Sequence, residues 1–425
     1  MNENLLKNKF KNSLKRGTGQ AILILKDNPN LDLSNFIIKA SVNNLAYDPQ
    51  CEGSRDEYLY ELIKLSSSYE KIESELLKNL IYSKNENWGI FQLFKIAKLF
   101  AKDGNLKARD AIYERYKKNL DEDFPNIDTF VLIDIDGFEG LKFIAEIQGM
   151  ILFKYVEKKY YDDYIIFYAK ELYPHINFEE KLEVESNKNK YIKLFLKSIK
   201  KPKKSSATKI DKKYSYKSIK QLIEKGITFP LYKVRRLQNK DLIKFANDLK
   251  DEKDEEKIIK YLEIFSRVKY PLELNNLFKF SESNNKEIIS ELIDCLKFFN
   301  DPKVRDLALN KLNSNNFEDY YLDLLIENYN ENDYELVTKI LKSTRNKDKF
   351  HSLGLSVLAI YEKNKTQNCV EPLKVIYDKG NCGLCRYNAI NILIENKVLP
   401  KSIIKESIYD SNFEIRDLIK DLTKT

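Results

Sequence analysis

The chain has 425 residues, 73 basic and 65 acidic side chains, a formal net charge of +8 and 43% hydrophobic residues. That apolar share excludes wholesale disorder, and only 12 glycines and 10 prolines argue against a turn-rich β architecture. Five unevenly spread cysteines do not make a secreted disulfide framework, and no apolar run reaches membrane-spanning length.

Residues 1–16 are polar and lysine-rich without a signal-peptide pattern, so a reduced, cytoplasmic setting is expected. Residues 21–25 predict a first helix that ends at Asp27-Asn28-Pro29. Residues 31–34 open the next, with Ser34 as its N-cap, and its partner runs over 54–65. Residues 69–82 and 88–101 pair as a hairpin in which Ile90, Phe91, Phe94, Ala97 and Leu99 suit a buried helix. Residues 106–120 continue the series. Residues 130–133 fit either a strand or a buried helical turn, because a run that short carries no period. Residues 140–153 read as a helix, and an aromatic segment from Tyr160 ends near Pro174.

The composition then shifts. Residues 186–220 hold 13 lysines and one acid, Asp211, a net +12, so the rest of the chain is slightly acidic. The centre of this stretch has no apolar period and reads as an exposed linker. The expected organisation is a helical-repeat region over 1–199, a basic linker over 200–213 and a second repeat region over 214–425. Helical hairpins are predicted at 239–250 with 254–267, 285–298 with 301–314, 317–329 with 332–343, and 400–409 with 411–423. Residues 345–380 are helical without a clear repeat phase.

The hairpin at 285–314 carries the most informative wording. Asp301 suits an N-cap, Pro302 the first helical position, and Val304, Ala308 and Leu312 share one face. The pattern Asp-Pro-x-Val-Arg-x-x-Ala-x-x-x-Leu recurs in part. Arg386 is followed by Ala389 and Leu393, Arg416 by Ile419, Arg109 by Ile112 and Tyr116, and Arg55 by Tyr58 and Leu62. Five of the 11 arginines take this slot in a chain with 62 lysines. The wording resembles the HEAT repeat family. The resemblance implies an all-α solenoid of antiparallel helix pairs in two segments. It also implies a structural role for Arg55, Arg109, Arg305, Arg386 and Arg416, each tying a helix start to a neighbouring acid or carbonyl.

Candidate chemistry is sparse. Val131-Leu132-Ile133-Asp134-Ile135-Asp136-Gly137 resembles the first motif of haloacid-dehalogenase-type phosphatases, an apolar strand ending in Asp-x-Asp-Gly. The resemblance implies Asp134 as nucleophile and Asp136 as acid/base around Mg²⁺. Phe138 replaces the usual Thr or Val, and no second magnesium motif follows. The competing reading makes Asp136 an N-cap with Glu139 in a capping box. Cys382-Gly383-Leu384-Cys385 has metal-site or redox spacing, and Cys369 and His351 could complete four ligands. Cys385 also fits as a small core residue before Arg386. His175 and His351 are the only histidines, and Trp88 reads as core.

The reading that follows is a non-catalytic scaffold that needs no cofactor or metal and binds a macromolecule, a protein first, on its concave face. Nucleic acid is the second partner class. Small DNA glycosylases built from HEAT-like repeats hold DNA, and Lys200, Lys201, Lys203, Lys204, Lys212 and Lys213 could track phosphates beside Tyr191, Phe195, Tyr214 and Tyr216. No membrane role is expected.

Overall fold

The computed structural model describes residues 2–83, 88–118, 128–155, 163–199, 215–314 and 317–424. Over these residues the protein is all-α and solenoid-like, with successive helices packed in pairs and no strand. No described helix is long and apolar enough to cross a membrane.

The first helices are α1 (Glu3–Arg16), α2 (Gln20–Asp27), α3 (Ser34–Val42), α4 (Pro49–Glu52), α5 (Asp56–Leu65), α6 (Tyr69–Tyr82), α7 (Trp88–Lys102) and α8 (Leu106–Lys118). They are followed by α9 (Phe130–Lys154), α10 (Tyr164–Leu172), α11 (Phe178–Ser186) and α12 (Lys190–Ile199). Next come α13 (Tyr216–Glu224), α14 (Asn239–Asp251), α15 (Glu255–Phe265), α16 (Asn275–Phe278), α17 (Lys286–Leu296) and α18 (Pro302–Leu312). The chain ends with α19 (Asp333–Ser343), α20 (Lys347–Lys363), α21 (Val370–Lys379), α22 (Gly383–Glu395), α23 (Lys401–Ser407) and α24 (Phe413–Lys424).

Local chemistry explains many of these boundaries. Asp301 caps α18 by accepting from the Lys303 N–H, Pro302 stands at the first position, and Val304, Ala308 and Leu312 are buried. Asp254 and Asn346 cap α15 and α20 in the same way. Three expectations are corrected. Ser34 is the first residue of α3 rather than its cap, and its N–H donates to Asp32 Oδ1 at 2.9 Å. Residues 319–325 form a tighter 3-10 segment instead of an α-helix. The polar N-terminal stretch, read only as a charged start, forms the 14-residue α1, capped by Asn2 and anchored by Phe10 and Leu14.

The chain divides into two compact units. Unit 1 comprises Met1–Ser205, Asn381–Leu384 and Pro400–Thr425, and unit 2 comprises Ser206–Gly380 and Cys385–Leu399. The C-terminal hairpin α23–α24, expected within the region 214–425, therefore packs with the N-terminal helices. Its Ser411 N–H donates to the Gly17 carbonyl at 2.8 Å, and the Lys26 ammonium sits 3.9 Å from the Tyr409 ring centroid. Sequence periodicity says which face of a hairpin is apolar, but not which neighbour covers it.

The core of unit 1 includes Phe10, Ile22, Phe94, Phe100, Phe178 and Phe195, all fully buried. Within it, α9 is two helical legs meeting at a corner. Gly137 has φ 54° and ψ −118°, a conformation that side-chain-bearing residues avoid. Three residues on, a Cβ at Gly140 would lie 2.1 Å from the Leu132 carbonyl oxygen, so the legs meet backbone to backbone. The segment 130–133 is thus helical and not a strand.

In unit 2 the 3-10 segment packs against α17, α18 and α20. Burial raises the Asp323 carboxyl above its ordinary 3.8, with a bond from Ser356 opposing. The folded state then binds this proton more tightly than the unfolded chain, so ionised Asp323 costs stability above its folded pKa. The cost fades as pH falls to the unfolded value. Asp323→Asn is therefore expected to be more stable than the parent at pH 7, with the gain gone by about pH 3. Urea titrations at both pH values check this, and an equal gain at both would contradict it.

Candidate functional site

The corner of α9 brings together two aspartates, a lysine and an arginine of unit 1. Asp134 accepts from Lys98 Nζ at 2.8 Å and from the Tyr168 hydroxyl at 2.6 Å. Asp136 accepts from Arg109 Nε at 3.0 and 2.9 Å and from the Tyr113 hydroxyl at 2.6 Å. Burial first, and then the bonded aspartates, push both phenols well above the usual tyrosine range. Burial also raises the nearby Asp128 carboxyl, while Lys95 and Lys98 oppose the shift. Each carboxylate of the phosphatase-like motif is therefore bound by one cation and one phenol; Asp134 joins the corner to α7 and α10, and Asp136 joins it to α8. Asp136 spends its acceptors on α8 and not on a capping box.

Four arginines of the repeated slot, Arg55, Arg109, Arg305 and Arg416, bond across to neighbouring segments. Arg55 is buried and donates to the last carbonyls of α1, Leu14 at 3.1 Å and Lys15 at 2.9 Å, and to Glu52 at 3.3 Å. Arg305 grips Asp333 through both terminal nitrogens at 2.7 and 2.8 Å. Arg416 donates to the Asp410 carbonyl and to Glu57, both at 2.8 Å. Arg386 is 1% exposed. Sequence reasoning missed Gln92, which serves the same end. Its side chain donates to the Ala40 and Ser41 carbonyls and accepts from the Arg55 N–H. A lone amide in the apolar run Trp88-Gly89-Ile90-Phe91-Gln92-Leu93-Phe94 was the available signal.

The remaining candidates are scattered. Lys200, Lys201, Lys203, Lys204, Lys212, Lys213 and Tyr214 lie outside the described residues. Of the aromatics proposed beside them, Phe195 is fully buried and Tyr216 is bonded to Asp248 and Lys220, which leaves Tyr191 at the surface. Cys382 and Cys385 are buried, and in unit 2 the Cys385 sulfur lies within 4.8 Å of a His351 ring nitrogen. Burial pushes the Cys369 thiol up to about 11. Trp88, expected in the core, is 47% exposed.

Unit 1 also carries a groove of about 580 Å³ between α10, α11 and α12, with Asp163, Lys170, Glu179 and Glu183 among its lining residues. Ile166, Phe167, Leu196 and Ile199 line it, with Lys170 and Glu179 paired at 2.8 Å on its rim. Phe167 is 55% exposed and stacks on Tyr164, itself 56% exposed. No protein-family model matches the chain, and no curated protein matches it.

Proposed function

We propose that the protein is a non-catalytic, HEAT-like helical-repeat scaffold of the cytoplasm that binds a protein partner. The observation that carries this reading is the groove of α10–α12, where the Phe167 ring, stacked on Tyr164, stands half in water beside the buried Ile166 and Leu196 and within a charged rim. Exposed apolar surface of this kind is retained where another macromolecule covers it. The occupant that suits it is an amphipathic helix whose apolar anchors replace water over Phe167. The engagement of Asp134 and Asp136 supports the non-catalytic part, because a nucleophilic carboxylate must be free to approach its substrate.

Two measurements test the reading. Phe167→Glu should abolish capture of the partner at an unchanged melting temperature, with binding weakened by a factor of about 30 or more. Photo-crosslinking from a probe placed at Phe167 identifies that partner. A full set of crosslinked and co-purified proteins in the Phe167→Glu variant would reject the groove. Mg²⁺-dependent phosphatase activity that disappears in Asp134→Asn would reject the scaffold.

A further inference from the structure

A second surface of unit 1, sharing no residue with the groove, is built where α9 ends and α12 begins. Gly149 is buried in α9, and a Cβ there would stand 2.0 Å from the Tyr191 carbonyl oxygen. The absence of a side chain lets the first turn of α12 lie directly on α9. That contact sets the Tyr191 ring edge-on to Phe153, with centroids 5.8 Å apart and planes at 76°. Lys190 Nζ lies 4.6 Å from the Phe153 centroid and 4.9 Å from that of Tyr191. Phe153 nonetheless stays 58% exposed.

The same helix presents a row of cations. Lys190, Lys193 and Lys197 recur at three- and four-residue spacing and are exposed, as is Lys188 just before the helix. Among the described residues none of these four forms an ion pair, whereas Lys142 on α9 pairs with Glu139 at 2.6 Å. The opposite face of α12 supplies Ile192, Phe195 and Leu196 to the core, so the helix cannot rotate to hide its lysines. An exposed aromatic ring with Lys190 beside it, on a face whose helix carries Lys193 and Lys197 without ion pairs, matches one chemistry closely. Phosphates take the lysines, and an unpaired base takes the ring face.

We propose that this face of α9 and α12 binds single-stranded nucleic acid, with Phe153 as the stacking platform and Lys188, Lys190, Lys193 and Lys197 along the backbone. Single strands are favoured over a duplex because base pairs already stacked on one another offer no free face to Phe153. The surface holds whether or not the groove has a protein partner.

The test is fluorescence anisotropy on the full chain with labelled oligothymidine and oligouridine of about 15 nucleotides and a duplex of equal length. Each is measured at about 50 and 200 mM salt. Both single strands should bind more tightly than the duplex and weaken with salt. Phe153→Ala should weaken single-strand binding about tenfold at an unchanged melting temperature, and Phe153→Trp should restore it. The triple variant Lys190→Ser, Lys193→Ser, Lys197→Ser should lower the slope of log affinity against log salt by about 2. Three results would overturn the proposal: no single-strand binding at low salt, equal affinity in Phe153→Ala, or a loss confined to a Lys200→Ser, Lys201→Ser, Lys203→Ser, Lys204→Ser variant.

Discussion

Gly140→Ala is expected to destabilise the protein by about 3 kcal/mol, the upper part of the range for overpacking. The added methyl would lie 2.1 Å from the Leu132 oxygen, 2.6 Å from its carbonyl carbon and 3.1 Å from the Ile133 nitrogen. All three are backbone atoms, so no side chain can turn away to make room. The two legs of α9 must separate, and the separation moves Asp134 from Lys98 and Tyr168, and Asp136 from Arg109 and Tyr113. Hydrogen exchange of the α9 amides should accelerate along with a lowered urea midpoint. An unchanged midpoint would show that the corner opens without loss. Gly354 supplies the contrast. It lies inside α20, and a Cβ there meets nothing within 4 Å. Gly354→Ala should stabilise by about 0.5–1 kcal/mol through the lower entropy of the unfolded chain.

Arg305→Ala should cost about 3 kcal/mol. Its guanidinium makes two parallel bonds to Asp333, whose side chain is 8% exposed and also accepts from the Asn330 N–H. Removing the arginine leaves a carboxylate that is still shielded from water but has lost its counter-charge. Arg305→Lys should recover only part of the loss, since an ammonium cannot reproduce the fork. The double variant Arg305→Ala, Asp333→Asn should be less destabilised than the two single losses added together, because the second change removes the stranded charge. Additive losses in that double-mutant cycle would mean that the pair is not coupled and that Arg305 acts through packing alone.

Much of the architecture was legible in the sequence because its signals are local. The Asp301-Pro302 start and the Val304, Ala308, Leu312 face of α18 each depend on atoms within a few residues. The bounds of α6 at Tyr69 and Tyr82 follow from a period that any window along the chain can detect. The arginine slot was visible for the same reason, as a scarce residue type recurring at fixed offsets. Its bonding partners were not. Arg55 reaches back to α1, Arg109 forward to α9 and Arg416 to Glu57 in α5, and these distances in sequence have no common value.

The sequence by itself determined that the chain is helical and where many of its helices begin and end. Only the tertiary structure decided that the Asp134-Ile135-Asp136-Gly137 run is a helical corner rather than a strand end, because Gly137 and Gly140 permit a backbone contact that no period encodes. It decided likewise that α23–α24 packs in unit 1, that Trp88 faces water, and that Phe153 meets Tyr191 and Lys190. The physical reason is common to all of these. Apolar periodicity states that a face must be buried, whereas the identity of the covering face follows from shape complementarity between segments far apart in the chain.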